Sequence, residues 1–226
     1  MLNNSGINFI VFIDKAQQET RDHSETLKEF KSERERVGIY LKALYDISTC
    51  AFGCHKGNHI MEYLSGRAFN LAYAAYDLCR TGFYDEAFNQ IRSLGELANI
   101  LALRIYDNTS FEAWLSATDE ERLKKFKPVQ IRILIEKANG IVIVDKDSYS
   151  ELCKLATHIT PKTVPNRHSD DQRPRVGGGF QQEGFKNTLE KLCELLFISA
   201  TAFAKFTDHD ELFEQLVTTQ DNSGNP

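Results

Sequence analysis

Apolar residues recur along most of this chain at steps of three and four, which is the spacing of one face of an α-helix. The pattern is strongest within residues 57–106, where one apolar stripe runs over Met61–Leu78 and a second over Ala87–Ile105. Gly82 separates the two stripes. Because glycine often follows the end of a helix and a short turn joins antiparallel neighbours, this segment predicts a helical hairpin.

Capping signals predict shorter helices on both sides of the hairpin. They are the capping-box pairs Ser32 with Glu35, Thr109 with Glu112, Thr118 with Glu121 and Ser148 with Glu151, then Pro128 at a helix start and Gly140 at a helix end. A last long helix carries apolar residues over Phe185–Phe203. The predicted fold class is therefore all-α, a helical bundle forming one domain over residues 1–218, with a disordered tail at 219–226.

Two runs rich in β-branched residues depart from the helical pattern, and β-branched residues favour strands. Ile7–Ile13 is interpreted as the start of a helix rather than as a strand. For Ile141–Val144 the sequence leaves a short strand and a non-strand conformation equally open.

Composition and charge narrow the class of protein. With 42% hydrophobic and 26% charged residues the chain is ordinary for a globular domain. A net charge of −5 argues against a general DNA or membrane-surface binder, although a local basic patch leaves RNA open. No apolar run approaches the roughly 20 residues that span a bilayer, and no signal peptide is recognisable. The five cysteines are an odd number and are interpreted as reduced thiols, so a cytoplasmic location is predicted.

Polar residues stand out on the second helix of the hairpin, which is apolar nearly all round. Arg92, Glu96 and Asn99 follow one another at steps of four and three, and Arg67 on the preceding helix is the expected partner. Buried charges need partners. The favoured interpretation is a structural network that fixes the register of the helices. The alternative is that the cluster floors a ligand-binding or catalytic pocket.

A long segment at about residues 159–184 contains glycine and proline and precedes the last long helix. His158 at its root is interpreted either as a helix-end cap or as an acid, base or phosphate contact. The basic candidates within the segment are Lys162, Arg167, His168, Arg173 and Arg175. Disorder is favoured, and an anionic ligand is the alternative. The run Gly177–Gly179 matches no phosphate-binding motif.

Cysteine and histidine also cluster at Cys50, Cys54, His55 and His59. On one continuous helix their i, i+4 pairs would face different ways, and Gly53 and Gly57 are expected to break the helix. No second ligand cluster follows. These cysteines are therefore expected to be ordinary packing residues, and neither a metal nor a cofactor is predicted. The sequence also lacks the nucleophile elbow, the zinc-protease motif, the Walker loop and the dinucleotide fingerprint, which argues against a conventional motif-bearing enzyme.

Short motifs give the chain a resemblance. The run Arg92–Glu96, followed by Tyr149, Leu152, His158 and then Pro161, resembles a group of bacterial all-helical proteins with an Arg-Ser-Leu-x-Glu helix and a later Leu…His-x-x-Pro segment. The similarity covers about residues 57–206. It implies a helical bundle and carries no assigned activity.

The layout also loosely resembles the HEPN nuclease and abortive-infection helical bundles of bacterial antiviral defence. That resemblance implies metal-independent RNA cleavage by an arginine and a histidine separated by four to six residues. No arginine in this chain precedes a histidine at that spacing. Arg92 and His158 would have to meet in space instead.

Three functions follow from these observations. The favoured one is a non-catalytic interaction or regulatory module, acting through a protein partner or as a homodimer, in a bacterial defence or stress system. The second is a metal-independent RNase in which His158 or His168 transfers protons and an arginine holds phosphate; the candidates are Arg67, Arg92 and Arg167. The third is a sensor of a small anion or ligand, with a pocket over Arg67, Arg92 and Glu96.

Overall fold

Ten α-helices and no β-strand make up the described part of the chain, so the all-α prediction is confirmed. The computed structural model describes residues 5–55, 57–156, 159, 161, 163–169, 171 and 173–221. The helices are α1 Ser5–Thr26, α2 Lys31–Ser48, α3 Ile60–Arg80, α4 Tyr84–Tyr106, α5 Asn108–Ser116, α6 Asp119–Lys125, α7 Pro128–Lys137, α8 Lys146–Ala156, α9 Gln182–Phe206 and α10 Asp210–Asp221. Over this part, none of them has the length and apolarity to cross a membrane.

Helix α4 lies at the centre of the core. It packs against α3, α9, α8, α5 and α7, while α2 covers α3 and α9. Ile91 and Leu94 on α4 and Leu192 on α9 are fully buried, and each buried side chain of this size contributes about 1.5–3 kcal/mol. The stripe predicted for α4 is therefore its core face, except at its end, where Ile105 is exposed.

The predicted hairpin is present as α3 and α4, joined by a tight turn. Phe83 N donates to Leu78 O at 2.9 Å and Gly82 N donates to Cys79 O at 3.2 Å, the hydrogen-bond pattern of a helix C-terminus closed by glycine. Gly82 has φ +83°, a conformation that residues with a side chain rarely adopt. Gly82 thus ends α3 as the sequence predicts.

The run Gly177–Gly179 crosses over this turn. Gly179 N lies 3.4 Å from Thr81 O as a hydrogen-bond donor. A Cβ atom on Gly178 would lie 2.4 Å from Thr81 O, and one on Gly82 would lie 2.3 Å from the backbone of Gly179. Two backbone segments therefore touch at a point where neither has room for a side chain. This contact accounts for the glycines at these positions, and no phosphate ligand is needed to explain them.

The segment at 159–184 is docked in its described residues, so the prediction of disorder is wrong for them. The side-chain oxygen of Asn166 accepts hydrogen bonds from Tyr84 N at 3.0 Å and Asp85 N at 3.3 Å, so that it caps the first turn of α4. Asn166 is buried as a result. His158 and Lys162 lie outside the described residues.

Two of the predicted capping signals are confirmed. Thr118 and Glu121 form a complete capping box at the start of α6, with Thr118 N donating to Glu121 Oε2 at 3.1 Å. Pro128 is the first residue of α7, where its missing N–H costs nothing.

Aspartates replace two of the other predicted caps. Asp107 accepts from Ser110 N at 3.0 Å, so α5 begins before Thr109. Asp145 accepts from Ser148 N at 2.8 Å, so Ser148 lies inside α8. Side chains of either kind can cap a helix, and the carboxylate has the advantage of its charge at the positive end of the helix dipole.

Three further boundaries differ in detail from the sequence prediction. Ile7–Ile13 is helical as predicted, and Ile141–Val144 is an irregular connection. The break expected near Ser32 lies slightly earlier, at the 3₁₀ turn Lys28–Phe30. The tail predicted to be disordered, 219–226, overlaps the end of α10. Gln220 is helical, and its side-chain oxygen accepts a hydrogen bond from the Tyr40 hydroxyl.

The glycine crossing predicts a large loss of stability for Gly82→Ala. The change adds left-handed strain of about 1–2 kcal/mol to an overpacking cost of about 1–3 kcal/mol. Gly53→Ala is the matched control, since Gly53 has φ +95° but open space around its missing Cβ. Urea unfolding should therefore show a clearly larger loss for Gly82→Ala, and equal losses would contradict the close crossing.

Candidate functional site

The polar residues of α4 meet a tyrosine from α8. Arg92 Nη1 donates to Glu96 Oε1 at 2.5 Å and to the Tyr149 hydroxyl at 2.9 Å. The Tyr149 hydroxyl donates in turn to Glu96 Oε1 at 2.8 Å. The three groups thus form a closed, half-buried triangle that ties α8 to α4.

A second arginine also contacts the ring of Tyr149. The guanidinium carbon of Arg132, from α7, is 4.8 Å from the ring centroid of Tyr149, and Arg132 is only 8% exposed. Its Nη1 atom is buried and has no hydrogen-bond partner among the described residues. Sequence reasoning missed this residue. The sequence does contain a signal for it, because Arg132 is a charged residue between Ile131 and Ile135, which lie at helical spacing and are buried.

Burial sets the protonation of Tyr149. Removal from water, followed by the hydrogen bond to the Glu96 carboxylate, raises the pKa of Tyr149 to about 12. The phenol therefore stays neutral at physiological pH and acts as a donor to Glu96.

Asn99 does not belong to this triangle. Its side-chain oxygen accepts from Ile143 N and Val144 N, both at 3.0 Å, and its Nδ2 donates to Val144 O at 2.9 Å. Asn99 thereby satisfies three backbone groups of the irregular 141–145 connection. This is a structural role, which supports the favoured interpretation of a register-fixing network.

Arg67, expected as the partner of this network, is exposed on α3 and supplies none of its hydrogen bonds. That prediction is wrong, because Ala68 and Ala72 form the buried face and turn Arg67 outward. A cavity of about 90 Å³ adjoins Glu96 and Asn99. Ligand pockets are usually about 300–1,000 Å³. This cavity is smaller than a typical ligand pocket, which argues against a ligand-binding site next to the triangle.

Arg167, Arg173 and Arg175 of the long segment are exposed as well. Arg173 Nε and Arg175 Nη2 lie 3.8 Å and 3.9 Å from Asp171, and Arg175 N donates to Pro165 O at 3.0 Å. Hydrogen bonds from Ser169 and Arg173 hold the pKa of Asp171 below its usual value. Arg167 is exposed without joining this group. These charges do not converge on one anion-binding position.

His168 is the sequence-predicted candidate that lies in a cleft. Its Nε2 atom is 2.8 Å from Asp85 Oδ1, and Asp85 Oδ2 accepts from Asn166 N at 2.7 Å. His168 N donates to Gln181 Oε1 at 2.9 Å. The imidazole is thus held at the first turn of α4 by a carboxylate that is itself held in place.

The cleft beside His168 has a volume of about 520 Å³, in the range of small-molecule sites. Its lining comes from α4, α8, α9 and the long segment, and comprises Phe88, Ser148, Glu151, Leu152, His168, Asn187 and Lys191. An ionised Asp85 favours the proton on Nε2 of His168, which leaves a lone pair on Nδ1. A histidine in this state can accept a proton from a substrate hydroxyl. Arg92 is not part of the lining.

The first half of α1 presents a different kind of surface. Five large apolar side chains are exposed around the helix, at Ile7, Phe9, Ile10, Val11 and Phe12. Monomeric proteins rarely leave contiguous apolar patches of this kind in water, and such patches mark interaction sites. We call this surface the apolar arm.

Comparison with protein-family models, with curated protein sequences and with solved structures found no match to this chain. The resemblance to HEPN-like bundles therefore remains a prediction from the sequence.

The raised pKa of Tyr149 predicts a pH-dependent contribution to stability. In the folded state the Tyr149 phenol ionises with a pKa of about 12, whereas in the unfolded state it ionises with the ordinary pKa of 10.0. Its contribution to the free energy of unfolding is therefore complete below pH 10 and is lost as pH rises from 10 to about 12. The unfolding free energy of Tyr149→Phe should therefore fall less steeply over this interval. Tyr63→Phe, at a 72% exposed position, is the control and should keep the wild-type slope. Identical slopes in all three proteins would refute the burial of the phenol.

Proposed function

We propose that this protein is a helical interaction module that assembles with a second copy of itself through the apolar arm. The observation that carries the proposal is the exposure of the arm, which reaches 74% at Ile7, 63% at Phe9, 59% at Ile10, 46% at Val11 and 64% at Phe12. A helix that is apolar all round is normally a buried helix.

The area of the arm suits a dimer. With side chains of roughly 150–250 Å² for aromatics and somewhat less for aliphatics, these fractions amount to roughly 600 Å² per chain. Pairing two arms buries at most roughly 1,200 Å² in total, because two helices cover only their facing sides, and this limit is the lower end of specific protein interfaces. Additional contacts from the rest of α1 would enlarge this area.

Charge favours a second copy over other occupants. The sequence has no charged residue from Ser5 to Ile13, so the arm offers nothing to a strongly charged partner. Helices that lie on anionic membranes usually carry lysine and arginine on their polar face, and the arm carries none. An uncharged helix is complementary to another copy of itself.

The second half of α1 holds the arm in place. Arg21 Nη2 is 3.1 Å from Asp77 Oδ1, and Arg80 Nη1 is 3.2 Å from Glu25 Oε1. The ring centroids of His23 and Phe180 are 4.6 Å apart. Because the helix is fixed to α3 and to the long segment, the arm extends in a defined direction. Ordered presentation lowers the entropic cost of association.

The resemblance to bacterial defence bundles supplies the biological setting of the proposal. We propose that the assembled module serves as an accessory or regulator in a bacterial defence or stress system. In this proposal the described residues of the arm carry out no catalytic step.

Charges placed in the arm should abolish assembly. Burying an unpaired carboxylate costs several kcal/mol, so Ile10→Glu with Phe12→Glu should weaken self-association by at least about 100-fold. Sedimentation velocity measures the change. Leu123→Glu, at a 70% exposed apolar position on α6, is the matched control and should assemble as the wild type does. A wild-type protein that stays monomeric, or that binds lipid vesicles through the arm instead, would overturn the proposal.

A second candidate function is metal-independent cleavage of RNA in the His168 cleft. The favouring observation is that an Asp85–His168 pair and the cationic Lys191 share one cleft. His168 Nδ1 would take the proton of a ribose 2′-hydroxyl, whose oxygen then forms a bond to the adjacent phosphorus. The bond from phosphorus to the 5′-oxygen breaks, and that oxygen leaves with a proton from water. Lys191 would offset the negative charge that develops on the phosphate.

This second candidate predicts cleavage that survives a metal chelator. His168→Gln and Lys191→Ala should each lower the rate at least about 100-fold. Lys191 lies outside the contacts that dock the long segment, so its variant keeps the fold, and Lys186→Ala on the exposed face of α9 is the control. His158→Ala belongs in the same assay, because the sequence nominated His158. Absence of cleavage, or loss only in His158→Ala, would exclude the His168 cleft as the catalytic site for the RNAs used.

A further inference from the structure

The connection between α2 and α3 brings three metal-ligating side chains together. Cys50, Cys54 and His59 each offer one ligand atom, and these atoms all lie within 4.8 Å of one another. The sequence predicts no metal here, because the i, i+4 pairs of one helix would face different ways and no second ligand cluster follows. Helix α2 ends at Ser48 and α3 begins at Ile60, so the three side chains belong to a loop that folds back on itself.

The packing role expected for these cysteines is also wrong. Cys54 is exposed and Cys50 is only half-buried, whereas Cys79, Cys153 and Cys193 are buried. All five are free thiols in the structure. The two cysteines of the loop therefore contribute little to the core and are available for ligation.

The spacing of the ligand atoms fits a tetrahedral zinc ion. Cys50 Sγ lies 3.7 Å from His59 Nδ1. With a zinc–sulfur bond of about 2.3 Å and a zinc–nitrogen bond of about 2.0–2.1 Å, two tetrahedral ligands are separated by roughly 3.5 Å. The pair thus already stands close to its distance in a zinc complex.

The backbone of the loop is held in an uncommon conformation at both ends of the cluster. Cys50 and His59 both have φ +55°, in the left-handed region, and Gly53 and Gly57 between them have φ +95° and +72°. Left-handed conformations at residues with a side chain cost of order 1–3 kcal/mol and persist where something compensates for them. Ligation of a metal by both residues would supply that compensation.

A buried carboxylate holds the loop in place. Glu62, in the first turn of α3, is 2% exposed, and its Oε1 atom accepts from His55 N at 2.6 Å. The backbone between Cys54 and His59 is therefore tied to the start of α3.

We propose that Cys50, Cys54 and His59 bind one Zn²⁺ ion, in a loop that Glu62 holds through the backbone of His55. Two sulfurs and an imidazole nitrogen select zinc over the harder magnesium and calcium ions. Each thiol gives up its proton on binding, and the fourth position is left to water. The site closes the loop from Cys50 to His59.

The site also has a structural partner in the corner between α9 and α10. The ring centroids of Phe52 and His209 are 4.9 Å apart, and His55 Nδ1 is 3.4 Å from Asp208 Oδ2. Both contacts come from residues inside the metal loop. Zinc binding therefore stabilises the packing of this loop on the corner, and the whole fold should gain thermal stability by linkage.

Cobalt(II) is the probe for this site, because tetrahedral thiolate coordination gives it a characteristic absorption spectrum. The full-length protein, free of any histidine tag, is reduced, treated with chelator and titrated. We expect one equivalent to bind, to show sulfur-to-cobalt charge-transfer bands, to be displaced by Zn²⁺ and to release about two protons per chain. Zinc should raise the melting temperature.

Variants distinguish this site from adventitious binding. Cys54→Ser lies at an exposed position and keeps the fold, and it should weaken cobalt binding by at least about 100-fold, as should His59→Gln. Cys153→Ala removes a cysteine outside the loop and is the matched control, which should bind as the wild type does. Binding that survives Cys54→Ser, titration without charge-transfer bands, or a Cys50–Cys54 disulfide formed in place of metal binding would each overturn the proposal.

Discussion

Helix α4 is covered on nearly every side, and this burial is the constraint on which the rest of the structure depends. Every polar group on such a helix must find a partner inside the protein or lose several kcal/mol. Arg92 and Glu96 find Tyr149 on α8, and Asn99 finds the backbone of the 141–145 connection. The same burial makes the first turn of α4 depend on Asn166, which reaches it from the long segment. The polar residues of one helix therefore determine where three later parts of the chain pack.

Local signals in the sequence were sufficient for the helices but not for their partners. The α3–α4 hairpin, the cap at Thr118 and the helix start at Pro128 depend on neighbouring residues only, and all three are confirmed. Tyr149 meets Arg92, and Arg132 meets Tyr149, through tertiary packing, which no spacing in the sequence encodes. The loop at Cys50–His59 shows the same limit. Gly53 and Gly57 predict a break in the helix there, and α2 does end at Ser48, but the convergence of the ligands depends on how the loop folds, which no local signal encodes.

The two surfaces singled out for function differ in physical character and in place. The apolar arm has no charge and owes its importance to area, whereas the His168 cleft combines an acid, a base and a cation in a small volume. The long segment joins them, because Phe180 packs on His23 of α1 while His168 lines the cleft. The proposed assembly through the arm and the proposed occupancy of the cleft would therefore both act on the same stretch of chain.

The crossing of the glycine run over the hairpin turn has a consequence for how the chain folds. Helices α3 and α4 are adjacent in sequence, so their hairpin can form early from local contacts. The crossing brings the turn at Gly82 next to Gly179, far along the chain. The chain between them must close into a large loop when α9 packs on the core, and this closure costs entropy. During synthesis the central helix α4 is made long before α9, which packs against one side of it. Until the last quarter of the chain leaves the ribosome, the part of α4 that α9 covers stays exposed to chaperones.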